Sequence, residues 1–200
     1  MEECISVFDM LKIGVGPSSS HTLGPWRAAE RFLSELNSEN ILDKVTRVKA
    51  DLYGSLSLTG KGHATDLAIM LGLSGQNPEY IPIQDIAGII KIIEDKNEIH
   101  LGNQISIPFY FLQDIVFNKN FLPFHANGLT FTAYLKDETE YVSTFYSIGG
   151  GFVVKEERIN AEKKHQIKCA FPFPIQNAEE LLQYTISQNK SISEIGRAHV

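Results

Sequence analysis

Cysteine is nearly absent from this chain, and so is any excess of positive charge. Only Cys4 and Cys169 occur in 200 residues; they form no CxxC pair and no disulfide framework. Lys and Arg number 18 against 24 Asp and Glu, a formal net charge of −6. That balance excludes nucleic-acid binding through a broad basic surface. Long apolar runs are missing as well: IAGIIKII, residues 86–93, is too short and too interrupted to span a bilayer. The opening MEECISVFDML lacks the basic segment of a secretory signal. Together these absences predict a cytoplasmic protein that meets neither membrane nor nucleic acid. What remains is sufficient for a core, with 43% hydrophobic and 21% charged residues.

Along the chain, SVFDMLKIG (6–14) reads as a short helix or turn running to a glycine stop. In WRAAERFLSEL, Trp26, Ala29, Phe32, Leu33 and Leu36 share one helical face, with Arg27, Glu30, Arg31 and Glu35 opposite. VTRVKADLYGSLSL (45–58) alternates as a strand does. GKGH is a sharp turn, ATDLAIMLGLSG an apolar helix ending in glycine, and IQDIAGIIKIIEDK a second helix. NEIHLGNQISIPFYF, NFLPFHANGLTFTAYL and YVSTFYSIGGGFVV are rich in β-branched and aromatic residues and read as strands. No strict βαβ rhythm is present. The pattern predicts an α+β fold, a mixed or antiparallel sheet with helices packed against one face.

The character changes after residue 157. Residues 158–176 read as a polar, proline-broken linker, and 177–193 as a helix with Asn177 at its N-cap and acidic residues in its first turn. The last seven residues, EIGRAHV, match one reading frame of a widely used sequencing adapter. Residues 195–200 are therefore expected to be an artefact, and His199 is set aside with them.

Four segments hold groups suited to chemistry. GPSSSHTLGPWRAAERFL (16–33) gathers Ser18, Ser19, Ser20, His21 and Thr22 between two Gly-Pro pairs. Helix capping explains one hydroxyl of such a loop. Four hydroxyls and a histidine beside the unpaired amides of a helix start suit a carboxylate or phosphate. YGSLSLTGKGHATD (53–66) places Lys61 between two glycines and His63 at the start of a helix. There the helix dipole favours a neutral imidazole, the form a general base needs; Thr65 or Asp66 is placed to orient the ring. FLPFHANGLTF (121–131) carries His125 and Asn127 at an Asn-Gly expected to turn a hairpin. SIGGGFVV has three glycines before an apolar strand, which suggests a bulge or close backbone packing. His100 and His165 lack such surroundings and read as surface residues. None of the histidines lies in a ligand-spaced motif, so no metal site is expected in this chain.

Taken in order, SVFDMLKIGVGPSSSHTLGPWRAAERF, YGSLSLTGKGHATD, FHANG and YSIGGGFV resemble the N-terminal β domain of the iron–sulfur L-serine dehydratases, or L-serine ammonia-lyases. The resemblance covers residues 5–154 and continues through PFPIQNAEELLQYTISQNKSISEI, similar to the linker and first helix of the family's α domain. Trp26 stands where the family more often has Met, and Ala126 and Leu129 where it has Pro and Met. The resemblance implies a β domain over 1–157, a linker over 158–176 and the first helix of a truncated α domain over 177–193. It implies a lyase that converts L-serine to pyruvate and ammonia, with L-serine and the α domain of the same full-length chain as partners, and a homodimer. It also implies a [4Fe–4S] cluster held by three cysteines of the α domain. With only two cysteines this chain lacks that ligand set, so the fragment alone is expected to be inactive. His63 and His125 are the implied catalytic residues, with His63 transferring the proton. Ser18, Ser19, Ser20, His21, Thr22, Lys61 and Asn127 are the implied substrate-binding residues. The same fold also resembles the allosteric substrate-binding domain of some phosphoglycerate dehydrogenases, which implies a non-catalytic sensor of serine or an anion. A free β subunit of a two-chain dehydratase is a third reading. The helix at Asn177 favours the single-chain enzyme over both.

Overall fold

The computed structural model of the chain describes residues 13–157, 173, 175 and 177–197. Most of the expected opening helix and linker, Cys4, Cys169, His165 and residues 198–200 lie outside the described residues. The chain divides into two compact units, Lys12–Ala161 and a second that contains residues 177–197.

The first unit begins with a single π-turn, Ser19–Leu23, that runs directly into α1, Gly24–Ser38. Pro25 sits in the first turn of α1, where its missing N–H leaves no bond unmade. Trp26, Ala29, Phe32, Leu33 and Leu36 are buried, as the periodicity predicts. Then follow β1 (Val45–Leu52), the short α2 (Ser55–Thr59), a 3-10 turn over Gly60–His63, α3 (Thr65–Leu73) and α4 (Ile83–Lys96). A hairpin of β2 (Glu98–Leu101) and β3 (Ile105–Pro108), a turn of helix α5 (Phe111–Asp114), and β4 (Ile115–Phe117) come next. The unit ends with β5 (Gly128–Leu135), β6 (Glu140–Gly149) and β7 (Phe152–Lys155).

The main sheet has the order β4-β1-β5-β6-β7. β4 runs parallel to β1, and the other neighbours are antiparallel. The fold is therefore α+β with a mixed sheet. Val48, Ala50, Leu52, Leu129, Phe131, Ala133 and Phe145 are buried from the sheet, and Phe32 of α1 stacks on Phe131 with ring centroids 5.1 Å apart. The opposite face is polar: Lys49 pairs with Asp51 at 2.8 Å, and Thr130 meets Thr144 at 2.9 Å. α3 packs against α1, α4 and β2. It is apolar on every side because it is enclosed on every side.

Three elements differ from the pattern read in the sequence. The strand over 45–58 stops at Leu52, and Ser55–Thr59 is helical. Asn127-Gly128 turns no hairpin; Gly128 is the first residue of β5. The strand before it, β4, pairs with β1 and not with β5, so residues 118–127 cross over the end of β1. The triple glycine makes the β6–β7 turn, with Gly149, Gly150 and Gly151 all at positive φ and a register shift between Ser147 and Gly149. The expected irregularity is thus present, in a backbone region that glycine adopts without a Cβ clash.

In the second unit, α6 (Ala178–Gln188) is capped by Asn177, whose side chain accepts from the Glu180 N–H at 3.0 Å. A reciprocal Ser191–Glu194 capping pair opens α7 (Ile192–Arg197). Among the described residues no helix is long and apolar enough to cross a membrane.

A bulge in β1 between Val45 and Arg47 turns both Thr46 and Arg47 outward. Arg47 reaches Asp114, whose carboxylate is fully buried and also accepts from the Tyr110 N–H at 2.7 Å. Arg47→Ala would leave that carboxylate without its counter-ion. Water at the half-exposed Arg47 site offsets part of the loss, so the cost falls at the low end for a broken buried pair, about 3 kcal/mol. Urea unfolding of the variant should show that loss without a change in m-value.

Candidate active site

The C-terminal end of β1, the N-terminal end of β5 and the C-terminal end of β6 lie together, since Leu52 pairs with Leu129 and Gly128 with Tyr146. The crossing loop 118–127 closes over this end. Asn118 N–H donates to the Leu52 carbonyl at 2.8 Å, Gly54 N–H to Asn120 at 2.9 Å, and Ser55 N–H to Ala126 at 2.8 Å. The π-turn of residues 19–23 reaches the same place through Ser147, fully buried near the end of β6. Its hydroxyl donates to the Ser20 carbonyl at 2.7 Å. Its own carbonyl accepts from Asn127 Nδ2, and its N–H donates to the Asn127 carbonyl, both at 3.0 Å. The approach requires glycine at position 24, where a Cβ would lie 1.9 Å from Ser147 Oγ.

Within the 18–22 loop the groups have distinct tasks. Ser18 caps the π-turn: its Oγ accepts from the His21 N–H at 3.2 Å, and its carbonyl accepts from Thr22 and Leu23. The Gly24 N–H donates to the Ser19 carbonyl. The amides of residues 21–24, expected to be open to an anion, are therefore spent within the turn, because a π-turn lets one carbonyl serve two donors. Ser19 is the exposed serine of the loop. Thr22 is buried, with its hydroxyl donating to the His63 carbonyl at 2.8 Å.

Two sequence-distant histidines meet here. The rings of His21 and His63 have centroids 4.9 Å apart, tilted by 38°. His21 Nδ1 lies 2.8 Å from Ser20 Oγ, and Nε2 lies 2.9 Å from Ser55 Oγ. His63 ends the 3-10 turn rather than starting α3, and its Nδ1 lies 2.9 Å from the Thr59 carbonyl. A carbonyl only accepts, so Nδ1 carries the proton and Nε2 of the neutral ring keeps its lone pair. The opposite assignment holds at His125. Its Nδ1 accepts from the Asn127 N–H at 3.1 Å, so the neutral ring is protonated on Nε2.

Lys61 is exposed, its Nζ 5.3 Å from the centre of the Phe117 ring. Asp66, in the first turn of α3, is buried, which raises its pKa above the usual carboxylate range; the Leu67 N–H and Lys61 act against that rise. Asn127 is buried, and its amide ties the crossing loop to β6. Ser55 and Ser147, which organise much of the site, carry no sequence signal of their own. Ser55 sits in a run that alternates like a strand, and Ser147 is one serine in an aromatic strand. No group of three or more His, Cys, Asp or Glu among the described residues is placed to hold a metal.

Burial and the nearby His63 ring both lower the pKa of His21 below 6.5, with a smaller opposing effect from Ser55. The unfolded chain therefore binds the proton more readily, and the neutral ring stabilises the fold. That contribution is complete above the unfolded pKa and is lost as the pH falls through 6.5 toward the folded value. Urea midpoints taken from about pH 7 down to about pH 5 should fall less steeply for His21→Asn than for the wild type. Equal slopes would mean that His21 titrates as it does in water.

The sequence model of the Serine dehydratase beta chain family matches residues 6–158. L-serine dehydratase 1 of Escherichia coli (strain K12) is 44% identical over 190 residues, which cover 94% of this chain and 41% of that protein. L-serine dehydratase of Haemophilus influenzae is 41% identical over 194 residues, 96% of this chain and 42% of its own length. That of Streptomyces coelicolor is 40% identical over 193 residues, with the same coverage. The chain thus spans about two-fifths of the length of the curated relatives that it matches. With most of the described fold inside the matched segment, the chain belongs to the serine dehydratase beta chain family.

Proposed function

We propose that this chain is the N-terminal part of an L-serine ammonia-lyase, and that His63 is its proton-transfer group. The observation that carries this reading is the 2.9 Å contact of His63 Nδ1 with the Thr59 carbonyl, which in the neutral ring leaves the Nε2 lone pair at the rim of the site. Conversion of L-serine to pyruvate and ammonia breaks the Cα–H bond and expels the β-hydroxyl. The resulting aminoacrylate tautomerises to an imine, which water hydrolyses. His63 Nε2 takes the α-proton. His125, with its proton on Nε2, orients the substrate as a donor, and Asn127 holds His125 in place through its N–H. Lys61 and the exposed Ser19 receive the carboxylate, with Ser18 and Ser20 shaping the loop behind them.

The [4Fe–4S] cluster implied by the resemblance does not fit the residues of this chain. Three thiolate ligands are needed, and the sequence has only Cys4 and Cys169. We assign the cluster to the remainder of a full-length enzyme and route no step through it here. A sensor domain is the weaker reading, because similarity to the L-serine dehydratases extends over 94% of the chain and passes beyond residue 158.

A hybrid enzyme tests this, made by replacing the matching two-fifths of the E. coli L-serine dehydratase 1 with this chain. It should release pyruvate from L-serine. His63→Ala in the hybrid should cut turnover by about 100-fold or more, the range of general-base catalysis, and leave the visible absorption of the cluster intact. Near-normal turnover in that variant would refute the role of His63.

A further inference from the structure

His21 has no ring nitrogen to offer a ligand. Both are within hydrogen-bond distance of a serine hydroxyl, Ser20 on one side and Ser55 on the other. A substrate group that bound this ring would have to displace a hydroxyl already in place, exchanging one hydrogen bond for another. What His21 does face is the ring of His63, with centroids 4.9 Å apart.

The backbones of the same two residues are joined reciprocally. Thr22, next to His21, donates its hydroxyl to the His63 carbonyl at 2.8 Å. Thr65, two residues beyond His63, donates its hydroxyl to the His21 carbonyl. Both threonines are buried, at 3% and 0% exposure, where an unmade hydrogen bond has a full desolvation cost. Between His63 and Thr65 lies Ala64 at φ +54, in the left-handed region that non-glycine residues seldom adopt. Such a backbone persists only where its surroundings hold it, and here the two threonine bonds flank it. Each loop therefore supplies the hydroxyl that fixes the other loop's histidine.

We propose that His21 is a positioning residue and not a substrate ligand: with Ser55, Thr22 and Thr65 it forms a lock between the two loops that fixes the ring of His63. The proposal deepens the reading of His63 as the proton-transfer group and rests on it for the enzymatic test, but the lock itself is measurable without turnover.

In the chain as it stands, NMR should show a cross-peak between the ring protons of His21 and His63. Thr22→Ser with Thr65→Ser, which keeps both hydroxyls, should retain it. Thr22→Val with Thr65→Val should lose it while the resonances of Phe32 and Phe131 stay in place. A cross-peak that survives in the valine variant overturns the lock. If the double valine variant does not fold, the single Thr22→Val and Thr65→Val variants read the same signal. In the hybrid enzyme, His21→Asn and Ser55→Ala should lower kcat by about 10-fold or more and leave KM within about 3-fold, the pattern of a lost transition-state arrangement. A raised KM with kcat retained would make His21 a substrate ligand and overturn the proposal. A hybrid with no activity even in the wild-type sequence would count against the proposed function, and the NMR result would still decide the lock.

Discussion

Ser147 is the point at which the sheet and the site become one object. Its hydroxyl holds the Ser20 carbonyl, and its backbone holds Asn127 from both sides. Two of the three histidine-bearing segments are thus hydrogen-bonded to one buried residue near the end of β6. The third, around His63, follows through the threonine bonds to the 18–22 loop and through Ser55, whose N–H is held by Ala126. The geometry tolerates no side chain at position 24, so the Gly-Pro that opens α1 serves two needs at once. Gly24 admits Ser147, and Pro25 begins the helix without wasting a donor.

The hydrogen-bond network divides the residues of the site by what they have left to give. Ser18, Thr22 and Asn127 are committed to backbone partners. Among the described residues His21 is held at both nitrogens, and His63 and His125 at Nδ1 only, in opposite senses. One ring thus leaves a lone pair at Nε2 and another leaves an N–H there. The two rings present opposite hydrogen-bonding groups, and the difference arises from a single backbone neighbour in each case.

The helices were legible in the sequence because their periodicity is local: Trp26, Ala29, Phe32, Leu33 and Leu36 recur as a helical face must. The α+β class was legible for the same reason. What escaped depends on pairing over long separations. β4 is only three residues long, and its parallel partner β1 lies far upstream. Without it, Asn127-Gly128 looked like a hairpin turn. SLSL alternates like a strand, yet Gly54 adopts φ +57 and its N–H and that of Ser55 bond to the crossing loop, which ends β1 and leaves the Ser55 hydroxyl to meet His21 Nε2. At the site, the motifs marked which residues are suited to chemistry but not which of them face each other. The contact of His21 with His63, and the hidden parts played by Ser55 and Ser147, exist only once the sheet has formed.

That dependence has a consequence for synthesis. The partners joined at this site are separated by 34, 41 and 127 positions along the chain, contacts that are slow to form because a large loop must close first. On a ribosome, which releases the N-terminus first, the GPSSSHT segment emerges early and then waits for Ser147, near the end of β6, before it can take its place. The anchoring of that segment to the sheet is therefore among the last features of the unit to form, although every residue that joins the two histidines lies within positions 20–65.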